Sequence, residues 1–248
     1  MTVAIAKKKQ ISLLVRCITY GIVFVASFLL FVHPDIVETS NHSRILLDCI
    51  FDGRFFEFFD VVKQHDNSFY YLNNANYNIV FYLLFAAWEL PVYLVGKIFS
   101  ITISEQLMWM WAKALPALCS IVNAALVGKL VEQVKSKDDG SFAQKALLLS
   151  PIAFFFPVVM GQYETICIVF VLWALLYYIK GDMVRFAAVM GVAALCKSFA
   201  LLIVVPLILL ADKKLLLILR DLALSMFPTL LTGVLFHGRV ADAEQFTN

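Results

Sequence analysis

The chain has 248 residues, of which 62% are hydrophobic and only 15% charged, against roughly half and a quarter in soluble domains. With a mean hydropathy of +0.84, the expectation is all-α: a polytopic transmembrane helical bundle forming a single transmembrane domain over residues 1–248. The net charge of +2 comes with no dense basic patch, so no nucleic acid is expected as a partner. The five cysteines (Cys17, Cys49, Cys119, Cys167, Cys196) are scattered without metal-ligand spacing and suggest neither a disulfide framework nor a structural zinc.

Lys7, Lys8 and Lys9 precede an apolar run from Ile11 to Val32. At 1.5 Å per residue it covers about 33 Å, enough to cross a bilayer. It is too long for a signal peptide, and no small-residue cleavage site follows it. The lysines predict a cytoplasmic N-terminus, which puts Val32 at the outer face.

Residues 33–78 are the longest polar stretch, with Asp35, Glu38, His42, Arg44, Asp48, His65 and Asp66 among its charged and titratable side chains. Apolar positions such as Ile45, Leu46, Ile50 and Phe51 recur at helical spacing, which predicts an outer loop with one or two amphipathic helices on the membrane surface, broken at Gly53. Asn41-His42-Ser43 matches a glycosylation sequon, a pattern common by chance.

Further apolar runs follow at Tyr77–Phe99, Leu107–Val134, Ala146–Met160, Thr165–Ile179, Phe186–Leu210 and Leu215–Phe236, and the tail from His237 is polar. The turns at 135–145, 180–185 and 212–214 are basic and expected on the cytoplasmic side. Phe186–Leu210 must then go out and come back, as two short helices meeting near Lys197. Each is about 18 Å long, less than a full span. The same parity makes one of the two runs between residues 77 and 134 re-entrant or interfacial, with Pro91 or Pro116 as the expected break.

Two sites interrupt the apolar frame: Gly161-Gln162-Tyr163-Glu164, and Lys197 alone between two apolar runs. An ionisable group in a span costs a few kcal/mol and is read as functional by default; the competing reading puts Glu164 and Lys197 at helix ends among the headgroups. Under this topology Asp35, Glu38 and His42, the 162–164 turn and Lys197 share the outer face. A carboxylate there can act as general base toward a hydroxyl. A lysine there suits a lipid-linked phosphate. Carboxylates also suit a divalent cation, though nothing in the sequence requires one. A channel or transporter can carry the same three groups.

The ordered set of motifs resembles the GT-C glycosyltransferases, membrane enzymes that use polyprenyl- or dolichyl-phosphate sugars as donors. His33-Pro34-Asp35-Ile36-Val37-Glu38, ending at His42, is similar to a Gly-Asp-x-Glu-x-x-x-His element of the first outer loop. It keeps the Glu-to-His spacing and shifts the Asp by one. Gly161-Gln162-Tyr163-Glu164 is similar to Gly-Gln-x-Asp or Phe-Gln-Tyr-Asn elements, with Glu in place of Asp or Asn. Cys196-Lys197-Ser198-Phe199-Ala200-Leu201, followed by Pro206, is similar to a Phe-Lys-Gln-x-x-Leu…Pro element. The likeness runs from about residue 20 to residue 210.

The resemblance implies a GT-C-like fold with an amphipathic outer loop after the first span. It implies transfer of a sugar from a polyprenyl-phosphate donor to an acceptor hydroxyl on a glycan, lipid or protein at the outer face. That face belongs to the plasma membrane in a bacterium and to the ER membrane in a eukaryote. Asp35 or Glu38 would be the catalytic base and Lys197 the donor-phosphate contact, with His42, Gln162, Tyr163 and Glu164 lining the cleft. Against these roles stand blander ones: Asp35 as a solvated loop carboxylate, His42 as a surface histidine, and Trp88, Trp109, Trp111 and Trp173 as interface anchors. Such enzymes carry more helices, so a C-terminal module beyond this one is expected. The alternative function is a non-enzymatic lipid-linked-glycan flippase, a transporter or an inactive relative.

Overall fold

Residue 15, residues 18–64 and residues 75–236 are described by a computed structural model of the chain. Lys7 to Lys9, the start of the first apolar run, His65, Asp66 and the tail from His237 lie outside the described residues. Among the described residues there is no strand. The helices are α1 (Ile18–Leu30), α2 (Pro34–Phe51), α3 (Phe58–Gln64), α4 (Ile79–Phe99), α5 (Glu105–Val134), α6 (Lys137–Leu148), α7 (Pro151–Phe154), α8 (Glu164–Ile179), α9 (Met183–Cys196), α10 (Phe199–Ala211) and α11 (Leu215–Leu235). A π-helical turn, Phe155–Val159, continues α7.

Three helices, α4, α5 and α11, are long and apolar enough to cross a membrane. The number is up to five if α1 with α2 and α6 with the 151–159 segment each count as one bent span. By length and composition this is a helical membrane protein. With Asp35, Glu38, Arg44 and Asp48 in 18 residues, α2 is too polar to be read as a span by itself.

The α1–α2 bend of 59° has a local cause. The last carbonyls of a helix lack intrahelical donors, and those of α1 are collected by one side chain from another helix. Lys113, fully buried in α5, donates to the carbonyls of Ser27 (3.2 Å), Phe28 (3.1 Å) and Phe31. The chain then restarts as α2, where Pro34 takes the first helical position and His33 Nδ1 accepts the Asp35 amide at 3.3 Å.

α2 packs chiefly against α4. It packs lengthwise into the bundle, and its buried face mixes Ile36, Val37, Leu46 and Leu47 with Glu38, Thr39, Ser40, His42 and Ser43. Ser40 donates to Glu89 of α4 at 2.5 Å, and Tyr93 donates to Asp48 at 2.6 Å. Ser43 Oγ is bonded to the Thr39 carbonyl at 2.7 Å and buried, so the sequon is part of a helix interface. Gly53, at φ +72°, ends α2 as anticipated.

Neither Pro91 nor Pro116 breaks its helix. The turn between α4 and α5 falls at Ser100, with φ +53°. Prolines are tolerated in apolar helices when neighbours satisfy the loosened backbone. Close to the two prolines, α4 and α5 are tied together: Trp111 donates to the carbonyl of Trp88, and Trp88 donates to that of Trp111, at 2.8 and 2.7 Å. The two indoles stack at 5.1 Å.

The expected polar loop at 135–145 is the helix α6. Ser136 caps it by accepting the Asp139 amide at 3.1 Å. Gly140 packs so tightly on α5 that a Cβ there would lie 2.6 Å from the Gly128 carbonyl. The predicted Ala146–Met160 span is correspondingly divided, with a 58° bend between α6 and the 151–159 segment.

The out-and-back path of 186–210 is visible in the packing. α9 and α11 run side by side in the same direction. Midway, Gly191 sits where a Cβ would come within 3.0–3.2 Å of the Ser225 and Leu224 carbonyls and the Pro228 ring. At one end both reach the segment before α4: Lys197 Nζ is 3.4 Å from Tyr77 Oη, and Asn78 Nδ2 donates to Thr232 Oγ1 at 2.7 Å. α10 must therefore carry the chain back from Lys197 to the start of α11, about 20 Å for its 13 residues.

The 78–116 stretch likewise leaves this end and returns to it. α4 starts there at Asn78. α5 arrives there with Pro116 and Asn123, whose partner is Thr165 beside the 161–164 turn.

Candidate functional site

Four short segments converge at that end. The first is the start of α2. Asp35 lies in its first turn, about one-third exposed, with His33 Nδ1 3.5 Å from its Oδ1.

The second is the 161–164 turn. Gly161 has φ +65°, a region open to glycine at little cost. A Cβ at this position would meet Ile36 of α2 at 3.2 Å. The glycine thus reverses the chain and lets it close on α2. The next residue, Gln162, donates from Nε2 to Asp35 Oδ2 at 3.2 Å. Glu164 then opens α8, where the helix N-terminus favours a carboxylate.

The third segment is the break between α9 and α10. Lys197 is extended (φ −154°, ψ 131°) and carries its ammonium to 3.1 Å from Glu164 Oε1. The pair is partly exposed, 26% for the lysine and 37% for the glutamate. The fourth is Tyr77, just ahead of α4. The Lys197 ammonium lies 4.7 Å from the Tyr77 ring centroid and 5.3 Å from that of Tyr163. Tyr163 Oη is bonded to Tyr77 Oη.

Asp35, Gln162, Tyr163, Glu164 and Lys197 therefore come together through direct contacts. Glu38 and His42 lie deeper, between α2 and α4. Glu38 is 5% exposed, its carboxylate 3.6 Å from His42 Nε2, and neither oxygen has a hydrogen-bond partner among the described residues. Burial pushes its pKa up to about 7. The His42 ring meets Tyr82 edge-on at 5.5 Å, and Tyr82 Oη accepts the Tyr77 amide at 3.3 Å. Tyr82 thus links His42 to Tyr77, while Asp35 is about one-third exposed.

Sequence reasoning missed Tyr77 and His33. Tyr77 reads as the first residue of an apolar run; the usable signal is a tyrosine just before an asparagine cap. His33 was legible as a cap before Pro34. Among the described residues, no group of three or more His, Cys, Asp or Glu side chains assembles to hold a metal ion.

The arrangement offers a half-open carboxylate with one oxygen held by an amide donor. Beside it stands an ammonium whose present partner is a carboxylate. Such a pair can accept a proton at Asp35 and hold an anion at Lys197.

No family model matches the chain, and neither a curated protein nor a solved structure matches it.

Proposed function

We propose that this chain is a membrane glycosyltransferase of the GT-C type. It would transfer a sugar from a polyprenyl-phosphate donor to an acceptor hydroxyl on a glycan, lipid or protein at the outer face, with the N-terminus in the cytoplasm. The observation that supports this reading is the convergence of Asp35, the 161–164 turn and Lys197 at the ends of apolar helices.

In the reaction, the acceptor oxygen bonds to the anomeric carbon as the bond from that carbon to the phosphate oxygen breaks. The hydroxyl proton passes to Asp35, and the phosphate leaves with the bonding electron pair. Asp35 suits the base better than Glu38, because a base must reach the proton it takes and Glu38 is enclosed. Lys197 would stabilise the departing phosphate as a fixed charge. Gln162 orients Asp35, and Glu164 holds Lys197 until the phosphate arrives.

The transport reading predicts polar groups spread through the depth of the bundle with access from both faces. Several buried charged groups away from the 161–164 turn have structural partners. Lys113 ties the end of α1, Glu89 binds Ser40, and Asp221 pairs with Arg220 at 2.7 Å. This favours the enzyme.

The test is transfer, or slow hydrolysis, of a panel of polyprenyl-phosphate hexoses by the chain in proteoliposomes, read as released polyprenyl phosphate. Asp35→Asn is expected to lower the rate by at least 100-fold with an unchanged melting temperature. Equal rates for the two proteins would refute the assignment of the base.

A further inference from the structure

A second site lies further along α2, away from Asp35. A cavity of about 600 Å³ opens between the C-terminal half of α2, the end of α4 and the start of α5, within the usual range for small-molecule sites. Its charged walls are two ion pairs. Arg44 donates two bonds to Glu105, at 2.8 and 2.5 Å, and another to Asn41. Lys97 lies 3.1 Å from Asp48, which also accepts from Tyr93.

Two features single this cavity out. Its two cations and two anions balance, and Glu105, Lys97 and Asp48 are all at least half exposed. An exposed pair such as Lys97–Asp48 holds together weakly, so its members can exchange partners for a ligand at little cost. In addition, Arg44 Nε is buried and has no hydrogen-bond partner among the described residues, an orphan that a native structure ordinarily explains by a partner. A guanidinium matches phosphate geometry in particular.

The mouth is flanked by exposed apolar side chains. Ile101 lines it, Phe51 stacks on Tyr93 at 5.7 Å, and Ile98 and Phe99 follow Lys97 at the end of α4. A free polar solute has no use for such a rim, whereas acyl chains do.

We infer that this cavity holds the headgroup of a zwitterionic phospholipid. Arg44 and Lys97 take the phosphate, Asp48 and Glu105 take the ammonium, and the apolar rim meets the first carbons of the acyl chains. The assignment needs only that the chain sits in a membrane and does not rest on the glycosyl-transfer reading.

The experiment is native mass spectrometry of the full chain in a sugar-headed detergent, titrated with phosphatidylethanolamine or phosphatidylglycerol. One phosphatidylethanolamine is expected to stay bound, at least 10-fold tighter than phosphatidylglycerol, and Arg44→Gln with Lys97→Gln should abolish that preference. Because those variants can fail by misfolding, Glu105→Gln supplies a gain. It removes the carboxylate that competes for Arg44, so phosphatidic acid, which has the phosphate and no ammonium, should bind at least threefold tighter than to the parent. Equal retention of the two lipids, or no gain in Glu105→Gln, overturns the proposal. Displacement of the lipid by an equal concentration of soluble phosphoethanolamine overturns the assignment to a lipid.

Discussion

The Lys197 ammonium lies 3.1 Å from the Glu164 carboxylate, joining the break between α9 and α10 to the 161–164 turn. On the proposed function, a donor phosphate would meet a cation already paired there. Binding must share the lysine between two anions or displace the glutamate.

Glu164→Gln is therefore expected to tighten binding of a polyprenyl phosphate. A partly exposed pair contributes up to about 1 kcal/mol, so the gain should be up to about fivefold. Lys197→Gln should weaken binding by a similar factor or more. Equilibrium binding of a fluorescent polyprenyl phosphate in detergent micelles reads both, and weaker binding in Glu164→Gln would remove the glutamate from its place as competitor.

Gly161→Ala forces a β-carbon into the left-handed region and against Ile36 at 3.2 Å. Strain of this kind costs roughly 1–3 kcal/mol. The melting temperature should fall by several degrees, and activity should fall with it as Gln162 is pushed off Asp35. Gly181, at φ +74° with open space around it, is the control: its alanine variant carries the backbone strain without the clash and should keep activity.

Glu38 gives the fold a pH dependence of definite sign. Its pKa in the folded chain is raised from 4.5 to about 7 by burial, so the folded state favours the protonated carboxyl. Its contribution is complete below pH 4.5 and is lost as pH rises through 7, a span of about 3 kcal/mol at most. Thermal unfolding followed from pH 5 to pH 8 should show the parent losing stability and Glu38→Gln losing less. Parallel curves would mean that the carboxyl ionises without cost.

Lys113→Met keeps the length of the side chain and removes its three bonds to the end of α1. Leaving buried carbonyls unsatisfied costs roughly 1–3 kcal/mol for each group so exposed. The α1–α2 junction should loosen, seen as faster backbone hydrogen exchange around residues 27–36 and a lower melting temperature. Protection equal to the parent's would show that water replaces the lysine there.

The sequence by itself determined the class and most of the apolar helices. A chain with 62% hydrophobic residues in runs of about 20 must bury its backbone polar groups in helices, and the basic turns with the lone Lys197 require 186–210 to go out and back. Local chemistry also marked the end of α2 at Gly53. The sequence did not disclose which prolines would break a helix. Nor did it disclose that Trp88 and Trp111, 23 residues apart, would meet across α4 and α5 and bond each other's carbonyls. It did not disclose that 137–148 is helical, because the close approach of Gly140 to Gly128 is a contact between elements. Nor could it separate Asp35 from Glu38. The two are three residues apart on one helix, and only the packing of α2 against α4 encloses one carboxylate and leaves the other beside Gln162. Periodicity reports that a residue is on a helix; which neighbour it meets is decided by the arrangement of helices.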